Sequence, residues 1–210
     1  MGNRMQTRET AGADALTGGF SDPVFQSQSV FRALMDGMAQ PGSLRTVEAP
    51  VVPPTPFGIA ASAIALALCD HDTPVWLSPA LSKSTAAQWL GFHCGAPLTG
   101  DKAQSRFAFL DASAPLPPFC MFATGSQEYP DRSTTLVIEV GALTGGVALI
   151  LSGPGIKETA TISPKGLQDT FLRNWDENRG VFPRGIDVVL TCGRQFLCLP
   201  RTTKITTGEN

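Results

Sequence analysis

Charge is scarce in this chain. Lys and Arg number 16 and Asp and Glu 18, so 34 of 210 residues are charged, where an ordinary soluble domain of this length carries about 25%, or roughly 52. No run of Lys or Arg occurs, and with a net charge of −2 and a pI near 5.7 this argues against a footprint on nucleic acid. Long apolar runs are also missing. The longest, Ile59 to Cys69, is about half the roughly 20 residues a membrane span needs. The N-terminal stretch, Met1 to Gly19, is polar and lacks the apolar segment of a secretory signal. Gln6 stands where a myristoylation start after Met1-Gly2 needs Ser or Thr. Together these absences lead us to expect a cytoplasmic protein that contacts neither membrane nor nucleic acid.

Hydrophobic residues, by contrast, make up 42% of the chain at a mean hydropathy of +0.05. Whole-chain disorder is therefore excluded, since it needs low hydrophobicity with high net charge. The length suits one domain. A globule so poorly charged either holds a large core or covers part of its surface with a partner.

The five cysteines, Cys69, Cys94, Cys120, Cys192 and Cys198, are odd in number and form no C-x-x-C. This suits reduced, buried thiols. Around a two-residue turn at Gly193-Arg194, Cys192 faces Gln195 and Cys198 faces Val189 on the opposite side of the sheet. No disulfide is expected.

Residues 1–20 read as a flexible arm and residues 21–210 as a single domain. Asp22 caps a first helix that Pro23 opens, with an apolar stripe at Val30, Phe31, Leu34 and Met38 and a stop at Gln40-Pro41-Gly42. Four prolines make 49–56 an extended connector. Residues 58–69 are apolar almost all round, which predicts a buried helix. Further helices are expected near 82–93 and 164–174. Strands are expected at 75–78, 106–110, 135–140 and 147–152, the last two joined by a turn at 141–146. A terminal hairpin pairs 186–191 with 195–199. This mixture predicts an α/β domain with a mixed sheet.

Candidate chemistry is thin. Cys69, His71, His93 and Cys94 supply the atom types of a tetrahedral zinc site, but adjacent His93 and Cys94 are an awkward ligand pair. Cys94 with a His partner would serve as a nucleophile only with an exposed, low-pKa thiolate. Ser152-Gly153-Pro154-Gly155-Ile156 follows a strand but lacks the residues of a phosphate-binding loop, and reads better as a turn. Lys157 is a candidate Schiff-base lysine or simply a solvated one. Arg184 and Arg201, with Thr202, are candidates for gripping a phosphate or an interface, the competing role being a salt bridge to Asp187.

Several segments are more distinctive. They are Phe31 to Met35 leading into Pro41-Gly42, Asp72 to Leu77, Phe92-His93 before Ala96-Pro97-Leu98, Glu128-Tyr129-Pro130-Asp131-Arg132-Ser133, Leu151 to Ile156, and Phe182-Pro183-Arg184-Gly185-Ile186-Asp187 with Pro200-Arg201-Thr202-Thr203. In this order, from about Phe25 to Ile205, the chain resembles the PhnH family, the H subunit of the bacterial carbon–phosphorus lyase system. The resemblance implies an α/β/α sandwich with a mixed central sheet, similar to pyridoxal-phosphate-dependent transferases but without the cofactor. It implies a homodimer that joins the G, I and J subunits in a core complex of organophosphonate breakdown. There it would act as an accessory subunit in forming α-D-ribose 1-methylphosphonate 5-triphosphate from ATP and methylphosphonate. No catalytic residue, metal or cofactor transfers with it. The competing readings are a phosphonate- or nucleotide-binding module, and an autonomous thiol or pyridoxal enzyme using Cys94 or Lys157. If partners account for the missing charge, the free protomer should expose an unusually large apolar patch.

Overall fold

The structure, a computed structural model, describes residues 16–208. Most of the expected arm lies outside the described residues. Its last part is tied down: Trp89 Nε1 donates to the Thr17 carbonyl at 2.8 Å, Val52 N donates to the Gly18 carbonyl at 2.9 Å, and Phe20 packs against the core.

Helix α1, Pro23–Ala39, begins as expected, with the Asp22 carboxylate accepting from Phe25 N and proline in the first turn. Its buried face keeps Val30 and Leu34 of the expected stripe, with Met38 partly buried against the same core, and departs from it at Phe31. Val30, Leu34 and Gly37 turn inward, while Phe31 stays 47% exposed. The reason is close packing at Gly37, where a Cβ would lie 2.9 Å from Cys198 Sγ, so the side carrying Gly37 seats the sheet. Val24, Phe31 and Met35 are left exposed at helical spacing on one side of α1.

Strand β1 is Arg45–Thr46, followed after the proline-rich connector by helix α2, Ile59–Leu68. Every residue from Ala60 to Ala65 is buried, because α2 lies between α1 and strands of the sheet. After β2, Val75–Leu77, the expected single helix is two: α3, Pro79–Ser82, and α4, Thr85–Cys94. Ser84 separates them by accepting a hydrogen bond from Ala86 N at 3.1 Å, capping α4 afresh.

The remaining elements are β3 (Phe107–Leu110), β4 (Thr135–Glu139), β5 (Leu149–Ser152), β6 (Ala160–Ile162), α5 (Thr170–Arg179), β7 (Asp187–Cys192), β8 (Gln195–Leu199) and β9 (Lys204–Thr207). The main sheet runs β1-β8-β7-β4-β3-β2, with β2, β3, β4 and β7 parallel and the β7–β8 hairpin antiparallel. A second sheet runs β6-β5-β9. The strands expected at 135–140 and 147–152 thus belong to different sheets. Helix α5 also starts later than expected, because Gly166 adopts φ +82°, which a helix starting at Pro164 cannot accommodate.

Both faces of the main sheet are buried, and alternate residues serve opposite cores. Val137, Val189, Phe196 and Cys198 face α1, α2 and α4, whereas Leu136, Val188, Leu190 and Leu197 face α5 and the small sheet. The fold is therefore α/β with a mixed sheet. One outer layer is helical; the other combines α5 with β5, β6 and β9. The hairpin register pairs Cys192 with Gln195 and Val189 with Cys198, so the two thiols lie on opposite faces as expected. All five cysteines are free, but Cys120 is exposed rather than buried.

Candidate functional site

In parallel α/β sheets, ligands usually bind beyond the C-terminal ends of the strands. Here the part of that edge around Asp111 and Glu139 is closed by the chain itself, while an open cavity of about 320 Å³ lies beside it, lined by Val147, Lys165, Leu167 and Gln168. Asp111, just past β3, accepts from Ser78 Oγ at 2.6 Å and from the hydroxyl and amide of Ser113. Burial pushes its carboxyl up, but the bonds from Ser113 and Ser78 outweigh this and hold it below its ordinary value. Glu139, ending β4, accepts from Thr191 Oγ1 at 2.6 Å and from Gly193 N at 3.2 Å. Gly58 packs so closely on Glu139 that a Cβ would sit 2.2 Å from Oε2. Gln168 then pins the 114–118 loop over the edge, accepting from Leu116 N at 2.8 Å and donating to the Ala114 carbonyl at 2.7 Å. The space left between Asp111, Glu139 and Gln168 is about 10 Å³, room for about one water. Sequence reasoning missed both carboxylates. The Asp111-Ala112-Ser113 turn directly after a strand was the available signal.

The opposite edge gathers four of the distinctive segments instead, 128–133, 151–156, 182–187 and 200–203. Asp187 opens β7 and Arg201 follows β8, and the hairpin register brings them side by side. Arg201 donates to Asp187 Oδ1 from its backbone N at 2.7 Å and from Nε at 3.1 Å, and to Oδ2 from Nη2. Nη2 also donates to Ser133 Oγ at 2.6 Å, and Nη1 to the Pro130 carbonyl at 2.7 Å. Four of the five guanidinium N–H groups are thereby engaged within the chain. The salt bridge expected as the competing role thus belongs to Arg201, which clamps the 130–133 segment to the terminal hairpin. Among the described residues Arg184 has no such partner, and its Nε is buried without a hydrogen bond.

Helix α5 is locked to the same edge. Asn178, 4% exposed, donates to the Ile186 carbonyl at 3.0 Å and accepts from Ile186 N at 2.8 Å, acting as a short strand edge. Trp175 Nε1 donates to the Thr203 carbonyl at 3.0 Å. Gly185 is required here, having φ +125° and only 2.8 Å between a notional Cβ and Asn178 Oδ1. The result is an open cleft of about 320 Å³ lined by Pro154, Arg179, Phe182, Arg201 and Thr202. Arg201 and Thr202 are among the expected candidates. Arg179 is not, and only its place before Gly180 at a helix end marks it.

The other candidates do not converge. His71 is exposed beside Asp72, whereas His93 lies on the Trp89 ring at 4.7 Å with Nε2 3.3 Å from the Thr17 carbonyl. Among the described residues no group of three or more His, Cys, Asp or Glu is placed to hold a metal. Cys94 donates to the Leu90 carbonyl at 3.0 Å, and burial pushes its thiol up to about 11. That is the opposite of what a nucleophile needs. Lys157 is exposed to solvent. The 152–156 segment is a turn: Ile156 N donates to the Gly153 carbonyl at 3.1 Å, and Gly155, at φ +82°, is packed on the end of α1.

With this geometry in place, comparison with known proteins shows what the chain is similar to. The family model described as "Bacterial phosphonate metabolism protein (PhnH)" matches residues 18–206. The chain is 58% identical over 196 residues to the α-D-ribose 1-methylphosphonate 5-triphosphate synthase subunit PhnH of Rhizobium meliloti (strain 1021), covering 93% of this chain and 98% of that one. It is also 35% identical over 81 residues to the putative C-P lyase subunit protein HtxG of Stutzerimonas stutzeri, covering 39% of this chain and 42% of that one.

Proposed function

The chain belongs to the PhnH family of bacterial phosphonate metabolism, and on that premise we propose that it is an accessory, structural subunit of a carbon–phosphorus lyase core complex. In this role it supports formation of α-D-ribose 1-methylphosphonate 5-triphosphate from ATP and methylphosphonate, without chemistry of its own. The proposal includes a cytoplasmic homodimer joined to the G, I and J subunits, and a likeness of its layers to pyridoxal-phosphate-dependent transferases.

The observation that carries this reading is the end-to-end match to a relative named as a subunit of that synthase, at 58% identity over 98% of its length. The geometry agrees with it. The usual ligand edge is filled by side chains and loop around Asp111 and Glu139, the Cys94 thiol is held protonated, and no helix among the described residues is long and apolar enough to cross a membrane. Val24, Phe31 and Met35, exposed on one side of α1, are the kind of residue that partner surfaces cover.

Reconstitution tests the role. Subunits mixed with this chain should form the ribose triphosphate product, the same mixture without it should form little, and the chain alone should form none. Product from the chain alone would overturn the accessory reading, as would full product in its absence.

A further inference from the structure

The open cavity beside Glu139, about 320 Å³ in volume, lies between the start of β5 and the start of α5. Its walls are fixed by the chain's own backbone. Lys165 N donates to the Ala142 carbonyl at 2.8 Å and Gly146 N to the Ser163 carbonyl at 2.7 Å, tying the 141–146 turn to the 163–166 segment. The two backbones pack so closely that a Cβ on Gly146 would lie 2.2 Å from the Pro164 carbonyl oxygen. The volume falls at the lower end of small-molecule sites, which run to about 300–1,000 Å³. This end of the parallel strands is also where open α/β sheets bind ligands.

Two chemistries meet in its lining. Leu149, Leu172 and Val147, the last 75% exposed, supply an apolar body. The 165–169 segment supplies donors. The backbone N–H groups of Gly166, Leu167, Gln168 and Asp169 bond to no group among the described residues, four donors in succession. Thr170 follows them, its Oγ1 buried without a hydrogen bond. Lys165 runs over Gly145, with Nζ 3.4 Å from a notional Cβ there, and its ammonium pairs with no carboxylate among the described residues. Successive free N–H groups beside a cation attract an anion. Asp169 limits how much negative charge fits: its carboxylate lines the same cavity and caps nothing. One negative charge is therefore favoured over two.

We propose that this cavity binds an aliphatic monocarboxylate. The carboxylate accepts from the free N–H groups of the 166–169 segment and pairs with Lys165, while its tail lies against Val147, Leu149 and Leu172. Bonds from N–H groups to an ionised acceptor are stronger than neutral ones, and burial of the tail adds affinity with each methylene. The proposal does not depend on the subunit reading above.

The test is an NMR titration of the full chain, labelled with nitrogen-15, using hexanoate, acetate and hexan-1-ol as probes. Hexanoate should shift the amide resonances of Gly166, Leu167, Gln168 and Asp169 and saturate them. Shorter acids should bind more weakly, by about fourfold for each methylene removed. Hexan-1-ol, which has the tail without the charge, should leave those amides in place. Lys165→Met keeps the aliphatic stem and removes the ammonium, and should weaken hexanoate by about two- to fivefold, as expected for an exposed ion pair. Asp169→Asn should tighten it by a similar factor. Val147→Glu sets a carboxylate at the mouth and should abolish binding, with thermal melts of each variant showing an intact fold. Amides unmoved by hexanoate would overturn the proposal. So would hexan-1-ol binding as tightly as hexanoate, or an affinity indifferent to both Lys165→Met and Val147→Glu. None of these outcomes bears on assembly with other subunits, so the two readings fail separately.

Discussion

Asp187 Oδ1 accepts two hydrogen bonds from the same residue, the backbone N and the Nε of Arg201, at 2.7 and 3.1 Å. The first bond fixes where the chain leaves β8, and the second fixes how the guanidinium is turned. With Ser133 and the Pro130 carbonyl also held, one arginine joins segments about 70 residues apart in sequence.

This pair is 13% and 22% exposed at its side chains, so removing one partner strands a largely dehydrated charge. Arg201→Ala and Asp187→Ala are each expected to cost about 2–3 kcal/mol, below the fully buried case because some water reaches the pair. For a chain of this size the melting temperature should fall by about 5–10 °C. Arg201→Lys should recover little, because an ammonium cannot serve both carboxylate oxygens, Ser133 and Pro130 together. Unchanged thermal melts would refute the clamp.

Asp111 supplies a pH dependence. Its carboxyl is held below its ordinary value by Ser113 and Ser78, against the opposing pull of burial. A lowered folded-state pKa contributes stability that is fully present above the unfolded value, about 3.9, and lost as pH falls through the folded value. Chemical denaturation of the parent and Asp111→Asn proteins from pH 7 to pH 3 should therefore show a gap in stability that narrows only below about pH 4. A gap that widened on acidification would contradict the assignment.

The cysteines should differ sharply in reactivity. Burial pushes Cys94 up to about 11 and Cys198 up to about 12, and raises Cys69 well above its ordinary value, whereas Cys120 is exposed. Alkylation of the folded protein at neutral pH, mapped by mass spectrometry, should mark Cys120 first and spare Cys69, Cys94 and Cys198 until denaturant is added. Rapid labelling of Cys94 in the native state would revive the thiol-enzyme reading.

Features whose physics is local can be read from the sequence. Asp22 and Pro23 start α1, and Gly193-Arg194 turns the terminal hairpin in the expected register, which also places Cys192 and Cys198 on opposite faces. Strand β9 is not legible in this way. Lys204–Thr207 is mostly polar, and its pairing with β5 is set by tertiary contact rather than by its own alternation. The apolar pattern places α5 too early, because it gives no weight to the backbone that Gly166 adopts. The site is half legible. Arg201 and Asp187 are recognisable partners within a hairpin, but the cleft needs Arg179 from a helix and Pro154 from a turn in a different sheet. The closed edge at Asp111 and Glu139 is equally a product of packing. The shortage of charge with which the sequence opens is explained in part by two buried faces of one sheet. The exposed apolar side of α1 points to association for the rest.

Association with other subunits underlies the whole functional reading. It is decided by light scattering on the size-exclusion peak obtained when this chain is co-expressed with the G, I and J subunits of the same system. One peak should contain all four proteins, with a mass requiring at least two copies of this chain. A monomer of about 22 kDa eluting apart from the other three would refute the reading.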